Sequence, residues 1–169
     1  MKNIILVGMP GSGKSTLGIL LAKKIHYGYI DTDSVIVAKT GRLLTELIDE
    51  LGNEVFLELE AQVNSSLKAS GCVISTGGSA IYRSDAISRL KENGVVVYLK
   101  ISYDEVVKRL GDFKSRGVVL KDGFTLKDLY DERAPLYEKA ADFTVELTGN
   151  SIETSAEAVY NAVLNEISV

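Results

Sequence analysis

The chain predicts an α/β fold, a mainly parallel sheet with helices on both faces, on three observations. Short apolar runs recur at residues 3–7, 28–30, 72–75, 95–101 and 142–147. Helical patterns separate them, an alternation that lays the strands parallel and leaves the helices to cover the sheet. The first run, Ile4-Ile5-Leu6-Val7, leads directly into Gly8-Met9-Pro10-Gly11-Ser12-Gly13-Lys14-Ser15-Thr16, and a helical pattern follows. Strand, glycine loop and helix in that order are one supersecondary unit of such sheets. With 169 residues, 46% hydrophobic and 25% charged, the chain has the length of a single domain over 1–169.

Residues 8–15 fit G-x-x-x-x-G-K-[ST]. The glycines let the backbone curl so that N–H groups point at phosphate oxygens, where a Cβ would obstruct the approach. Lys14 supplies a mobile positive charge for the β- and γ-phosphates and Ser15 a hydroxyl ligand for Mg²⁺. The loop is expected to bind a nucleoside triphosphate through Gly11, Ser12, Gly13, Lys14, Ser15 and Thr16. Leu17, Leu20, Leu21 and Ile25 recur at helical spacing and are expected to pack the first helix on the sheet. That helix ends near His26 to Gly28, which makes the only histidine a helix-terminus residue.

The second strand ends in Tyr29-Ile30-Asp31-Thr32-Asp33. In an open parallel sheet the ligand crevice lies at the carboxyl ends of the strands, and carboxylates at i and i+2 in extended backbone point the same way. One can hold Mg²⁺ through its water while the other accepts a hydrogen bond from an attacking hydroxyl. Either aspartate can also simply cap the next helix. Over 53–69, Phe56, Leu59, Val63 and Leu67 make one apolar stripe, and Leu57 stands about 100° away in line with Glu60 and Asn64. Leu57 is therefore either plain surface or a pocket wall.

The third strand leads through Ser75-Thr76-Gly77-Gly78-Ser79. A glycine pair there permits close approach of backbone to ligand, and the hydroxyls before it are candidates for the magnesium shell. The stretch Gly111 to Gly117, continuing to Gly123, lacks periodicity and reads as an excursion between helices. Arg109, Arg116 and Arg133 suit either phosphates and an anionic substrate or plain solvated surface.

Composition excludes several classes. A net charge of -4 with no basic run argues against nucleic-acid or membrane-surface binding. The single cysteine, Cys72, cannot form an intramolecular disulfide and reads as a small buried hydrophobe in a reducing compartment. No apolar stretch approaches 18 residues, so a soluble cytoplasmic protein is expected.

Taken together these residues resemble the shikimate kinases, small P-loop kinases related in fold to the nucleoside monophosphate kinases. The resemblance rests on the loop at 8–16, Asp31-Thr32-Asp33, the Gly41 to Phe56 stretch, Ser75-Thr76-Gly77-Gly78, Arg116 and Arg133-Ala134-Pro135-Leu136-Tyr137. It implies a three-layer P-loop kinase fold with a five-stranded parallel sheet of order 2-3-1-4-5, a lid at about 111–124 and a substrate-binding helical segment at about 33–62. It implies a monomer that transfers the γ-phosphate of ATP, with Mg²⁺, to a hydroxyl of a small cyclic acid. Asp33 would contact the accepting hydroxyl, Arg133 the substrate carboxylate, Arg116 the transferring phosphate and Arg109 the adenine face. Asp31, Ser15 and Ser75 would organise Mg²⁺, with Lys14, Asp33 and Arg116 as the catalytic set. Leu57, Gly77, Gly78 and Ser79 would border the acceptor.

Three positions depart from the family pattern. Phe56-Leu57 stands where the family's Phe-Arg supplies a second arginine to the carboxylate, Ser79 replaces the third glycine of Gly-Gly-Gly, and Arg116-Gly117-Val118-Val119 replaces Arg-Pro-Leu-Leu. None touches the ATP machinery. Shikimate held through Arg133, another small hydroxyl compound, and a nucleotide-binding module without catalysis are the three functions these residues allow.

Overall fold

β1 (Asn3–Val7) is buried along its whole length, as a central parallel strand covered on both faces must be. It pairs in parallel with β3 (Cys72–Ser75) on one side and β4 (Gly94–Lys100) on the other. β2 (Gly28–Asp31) lies outside β3 and β5 (Phe143–Glu146) outside β4, giving the order β2-β3-β1-β4-β5 that the resemblance implies. Leu6 and Asp31 are both in register with Ser75. The carboxyl ends of β1, β2 and β3 therefore reach one edge together, and everything that follows those strands meets there.

This computed structural model describes residues 1–110 and 118–167. Residues 111–117 of the expected lid, with Arg116, lie outside the described residues. The expected strand limits differ by one residue at β2, β4 and β5, within the ordinary fraying of element ends. No helix among the described residues is long and apolar enough to cross a membrane.

α1 (Lys14–Ile25) packs on β3 and β2 through Leu17, Gly18, Leu21 and Ala22. Leu20, expected in that stripe, is exposed. Gly18 takes the inward position because a Cβ there would come within 2.7 Å of Ser75 Oγ and of the Tyr29 ring. The helix ends at His26, whose left-handed φ of 57° closes the turn with its N–H on Ala22 O.

α2 (Thr32–Thr40) begins one residue after the strand, so Asp31 and Asp33 do not share an extended backbone. Asp31 is the helix cap and Asp33 sits in the first turn. α3 (Leu44–Ser66) is interrupted at Gly52, whose φ of 77° and ψ of 165° are not helical. Beyond the break the expected polar line is reversed: Leu57, Glu60 and Asn64 are buried with Phe56 and Val63, whereas Leu59 and Leu67 are half-buried. The reason is that α3 is enclosed on two sides, by α2 and by α4 (Ser84–Lys91). Leu57 joins Ile36, Leu47, Phe56, Val63 and Val119 in an apolar cluster separate from the main core.

α4 and α6 (Leu126–Ala140) lie on β4, α5 (Tyr103–Leu110) precedes residue 111, and α7 (Ile152–Val163) packs beside α1 and β5. Cys72, expected to be buried, is half-buried at the start of β3, with its sulfur beside Gly28.

Candidate active site

The loop after β1 has positive φ at three residues, Gly8 with 152°, Gly11 with 79° and Gly13 with 96°, and all three are glycine. Between Gly11 and Gly13, Ser12 donates its N–H to Met9 O at 3.0 Å, closing the curl, and its buried Oγ has no partner among the described residues. Lys14 is buried and turns back on the loop, its Nζ donating to Gly8 O at 2.8 Å and Met9 O at 2.9 Å. Burial pulls its pKa down to about 8 against the pull of Asp33, with Arg133 adding to the lowering. Such a cation is poorly satisfied by two carbonyls, and phosphate oxygens at the loop would complete it.

Asp31 serves two purposes at once. Its Oδ1 accepts from Ser34 N at 3.1 Å as a helix cap, and its Oδ2 accepts from Ser15 Oγ at 2.9 Å and from the Tyr29 hydroxyl at 3.3 Å. Ser15 and Asp31 thus place two hard oxygen donors side by side at the start of α1. A hydroxyl, a carboxylate and neighbouring phosphate oxygens are the donor set that suits Mg²⁺, which keeps its remaining waters. Among the described residues no group of three histidine, cysteine, aspartate or glutamate side chains forms a cage for a metal by itself. Two residues on, Asp33 has its pKa raised to about 6, first by burial and then by Asp31, with Lys14 opposing.

The turn after β3 is held by side chains at three successive residues. Gly77 N donates to Thr32 Oγ1 at 3.2 Å, Gly78 O accepts from the Tyr137 hydroxyl at 2.5 Å, and Ser79 Oγ donates to Glu60 Oε2 at 2.7 Å. A Cβ on Gly77 would overlap Glu60 Oε1 and come within 2.8 Å of Asp33 Oδ1. One on Gly78 would stand 3.0 Å from Pro10 Cδ and 3.1 Å from Arg133 Nη1.

Arg133 is 1% exposed. Its Nε donates to the Tyr82 hydroxyl at 3.1 Å, its Nη2 to Val119 O at 2.7 Å, and its guanidinium lies 4.9 Å from the Tyr82 ring centre. Pro135, two residues on, is accommodated inside α6.

One cleft of about 370 Å³ gathers most of these groups. Pro10, Gly11, Gly13, Lys14, Ser15, Thr16, Asp31 and Asp33 form its phosphate end. Thr76, Gly78, Ser79, Val118, Val119 and Arg133 form the other. The expected site residues that it does not gather have definite places. Ser12 and Gly77 lie directly beneath the wall, in the contacts given above. Ser75 is 2% exposed and donates its hydroxyl to Lys14 O at 2.9 Å, so it fastens β3 to α1 instead of facing the cleft. Leu57 is also behind the wall, in the cluster that contains Val119. Arg109 pairs with Glu105 at 2.8 Å and borders a second cavity of about 250 Å³, with Ser12, Gly13 and Thr16 on one side and Asn150, Ile152 and Ser155 on the other. Arg116 is outside the described residues.

Glu60, Thr32, Tyr82 and Tyr137 were not among the expected site residues. Tyr137 has a readable signal, lying one helical turn after Arg133 and therefore on the same face. Glu60 has a weaker one, one turn after Phe56 and Leu57.

A phosphate loop, a half-buried aspartate and a buried arginine at one edge of a 2-3-1-4-5 parallel sheet define the class of P-loop kinases that phosphorylate a small molecule. The family model for shikimate kinase matches residues 10–167. The shikimate kinase of Caldanaerobacter subterraneus subsp. tengcongensis is 32% identical over 167 residues, 97% of each chain. That of Vibrio parahaemolyticus is 36% identical over 161 residues, 94% of each chain. Among solved structures, the shikimate kinase from Acinetobacter baumannii in complex with shikimate superposes with a TM-score of 0.87 at 30% identity, covering 98% of this chain and 94% of that one. The chain belongs to the shikimate kinase family. It is an ATP-using phosphotransferase with a hydroxyl group as acceptor.

Proposed function

We propose that the protein phosphorylates shikimate to shikimate 3-phosphate, a cytoplasmic step of aromatic amino acid biosynthesis. The observation that carries this reading is the single cleft in which the phosphate loop, Asp33 and Arg133 meet. The shikimate-bound Acinetobacter relative supports the acceptor.

In this reading ATP lays its phosphates over Gly11, Ser12 and Gly13, and Lys14 exchanges the carbonyls of Gly8 and Met9 for β- and γ-phosphate oxygens. Ser15, and Asp31 through water, would hold Mg²⁺, which supplies charge neutralisation at the phosphates. Arg133 would give up Val119 O and take the acceptor's carboxylate, which aims the acceptor's hydroxyl at Asp33. Asp33 accepts the hydroxyl proton as the oxygen bonds to the γ-phosphorus and the bond to the β–γ bridging oxygen breaks, releasing ADP. Arg109 borders the place for the adenine, and Arg116 is the candidate for the transferring phosphoryl group.

The test is ADP release from Mg²⁺-ATP with and without shikimate, with the product identified by mass. Shikimate-dependent ADP and a product heavier by one phosphoryl group are expected. No turnover from protein that binds ATP would overturn the acceptor assignment.

A further inference from the structure

Glu60 is a carboxylate held almost entirely out of water. It is 1% exposed, its Oε2 meets Ser79 Oγ at 2.7 Å, and its Oε1 has no partner among the described residues and lies against Gly77. An unpaired carboxylate oxygen costs far more to bury than the carbonyl oxygen of a neutral acid. Burial accordingly raises the pKa of Glu60 to about 7. The Ser79 hydrogen bond opposes that rise, Asp33 adds to it, and Arg133 and Lys14 oppose it. Those groups and Tyr137, which burial keeps neutral with a pKa of about 12, are the titratable groups that face Glu60 from α1, α2 and α6. Leu57, one turn earlier on α3, brings no charge to it.

Ser79 differs from Glu60 in that it lines the cleft, on the same wall as Arg133. Its single hydroxyl hydrogen decides what it offers there. While Glu60 is ionised, that hydrogen is committed to Oε2 and only lone pairs face the cleft, which repels an anion. When Glu60 is protonated, its own O–H can donate to Ser79 Oγ, and the serine hydrogen is free to turn outward.

We propose that Glu60 and Ser79 form a proton relay that reads the carboxylate of the acceptor. As the acceptor binds, one proton from solvent passes through the Ser79 hydroxyl to Glu60. Glu60 then donates to Ser79 Oγ, and Ser79 donates to the acceptor carboxylate beside Arg133. Without that proton, an arriving carboxylate would join Asp31, Asp33 and Glu60 against only Lys14 and Arg133 among the described groups of the site. The relay rests on the reading of the acceptor as shikimate.

Calorimetry of shikimate binding with Mg²⁺-ADP present, in two buffers of different ionisation enthalpy, reads the proton directly and needs no variant. Wild type should take up most of one proton near pH 7.5, and its affinity should weaken by up to about tenfold per pH unit above pH 7. Glu60→Gln, whose amide can donate permanently to Ser79, should lose most of the uptake and flatten the pH dependence. Ser79→Ala should bind shikimate about tenfold more weakly at pH 6.5, the loss of one hydrogen bond to a charged group. Equal uptake in wild type and Glu60→Gln, or unchanged affinity in folded Ser79→Ala, would overturn the relay while leaving shikimate as the acceptor. Protein that binds Mg²⁺-ADP but no shikimate would overturn both.

Discussion

Arg133 donates from Nη2 to the carbonyl oxygen of Val119 at 2.7 Å, so its guanidinium is already engaged by backbone on the wall of the cleft that both residues line. In the proposed mechanism, acceptor binding and the position of Val119 are therefore one equilibrium, because both compete for the same donor. An acceptor carboxylate must outcompete a neutral carbonyl, and its charge provides the advantage. Arg133→Lys keeps the charge and loses the fork, with Nε no longer available to Tyr82. We expect the acceptor KM to rise about 10- to 100-fold, in line with loss of a charged hydrogen bond. The ATP KM should change little, and steady-state titration of each substrate separates the two.

Lys14 is a buried cation whose only hydrogen-bond partners among the described residues are two loop carbonyls, and burial lowers its pKa to about 8. Lys14→Met removes the charge that phosphate would satisfy and retains a similar length of apolar stem. Turnover should fall by at least about 100-fold, the scale of a lost electrostatic contact to the transition state. The melting temperature without nucleotide should hold or rise, because a desolvated charge has been removed. A large fall in melting temperature would give Lys14 a structural role.

In the proposed mechanism Asp33 must be ionised to accept the hydroxyl proton, and its pKa of about 6 puts the expected acidic limb of the turnover profile near that pH, with a plateau above it. Its effect on stability has the opposite sense. A carboxyl whose folded pKa is raised is most favourable to folding below its ordinary value near 3.8, and that contribution is lost as pH rises through about 6. Asp33→Asn should therefore cut turnover by about 100-fold or more. Its melting temperature relative to wild type should climb by several degrees between pH 5 and pH 8. Parallel pH series of turnover and melting test both halves, and a difference in melting that stays flat with pH would refute the buried-charge account.

The parts of this site that were legible in the sequence are those whose chemistry is contiguous. The loop at 8–16 and the glycine pair at 77 and 78 carry their geometry in neighbouring residues, and the alternation of elements brings them to one edge. The aspartates at 31 and 33 were legible as residues, but not in their geometry, because α2 begins at Thr32 and turns Asp33 out of the extended line. What escaped depends on packing between distant segments. Glu60 meets Ser79 across 19 residues, Arg133 meets Val119 across 14 and Tyr82 across 51. Helical periodicity marked Leu57, Glu60 and Asn64 as a polar line because it cannot see that a second helix covers that face. Leu57 illustrates the same limit: a pocket wall and a cluster behind the wall have the same one-dimensional pattern.

The break at Gly52 has a mechanical consequence for the acceptor side of the molecule. Nothing stands within 4 Å of the place a Cβ would occupy, so the dihedral angles alone reserve this position for glycine. α3 is thus two rods on a one-residue swivel. The first carries the solvent-facing Leu51, and the second carries Asn53, held to Leu120 O at 2.8 Å, and Glu60, held to Ser79. The swivel is bridged by packing, since Leu47 of the first rod shares an apolar cluster with Phe56 and Leu57 of the second, so a side chain forced onto Gly52 would twist that cluster and with it the register between Glu60 and Ser79.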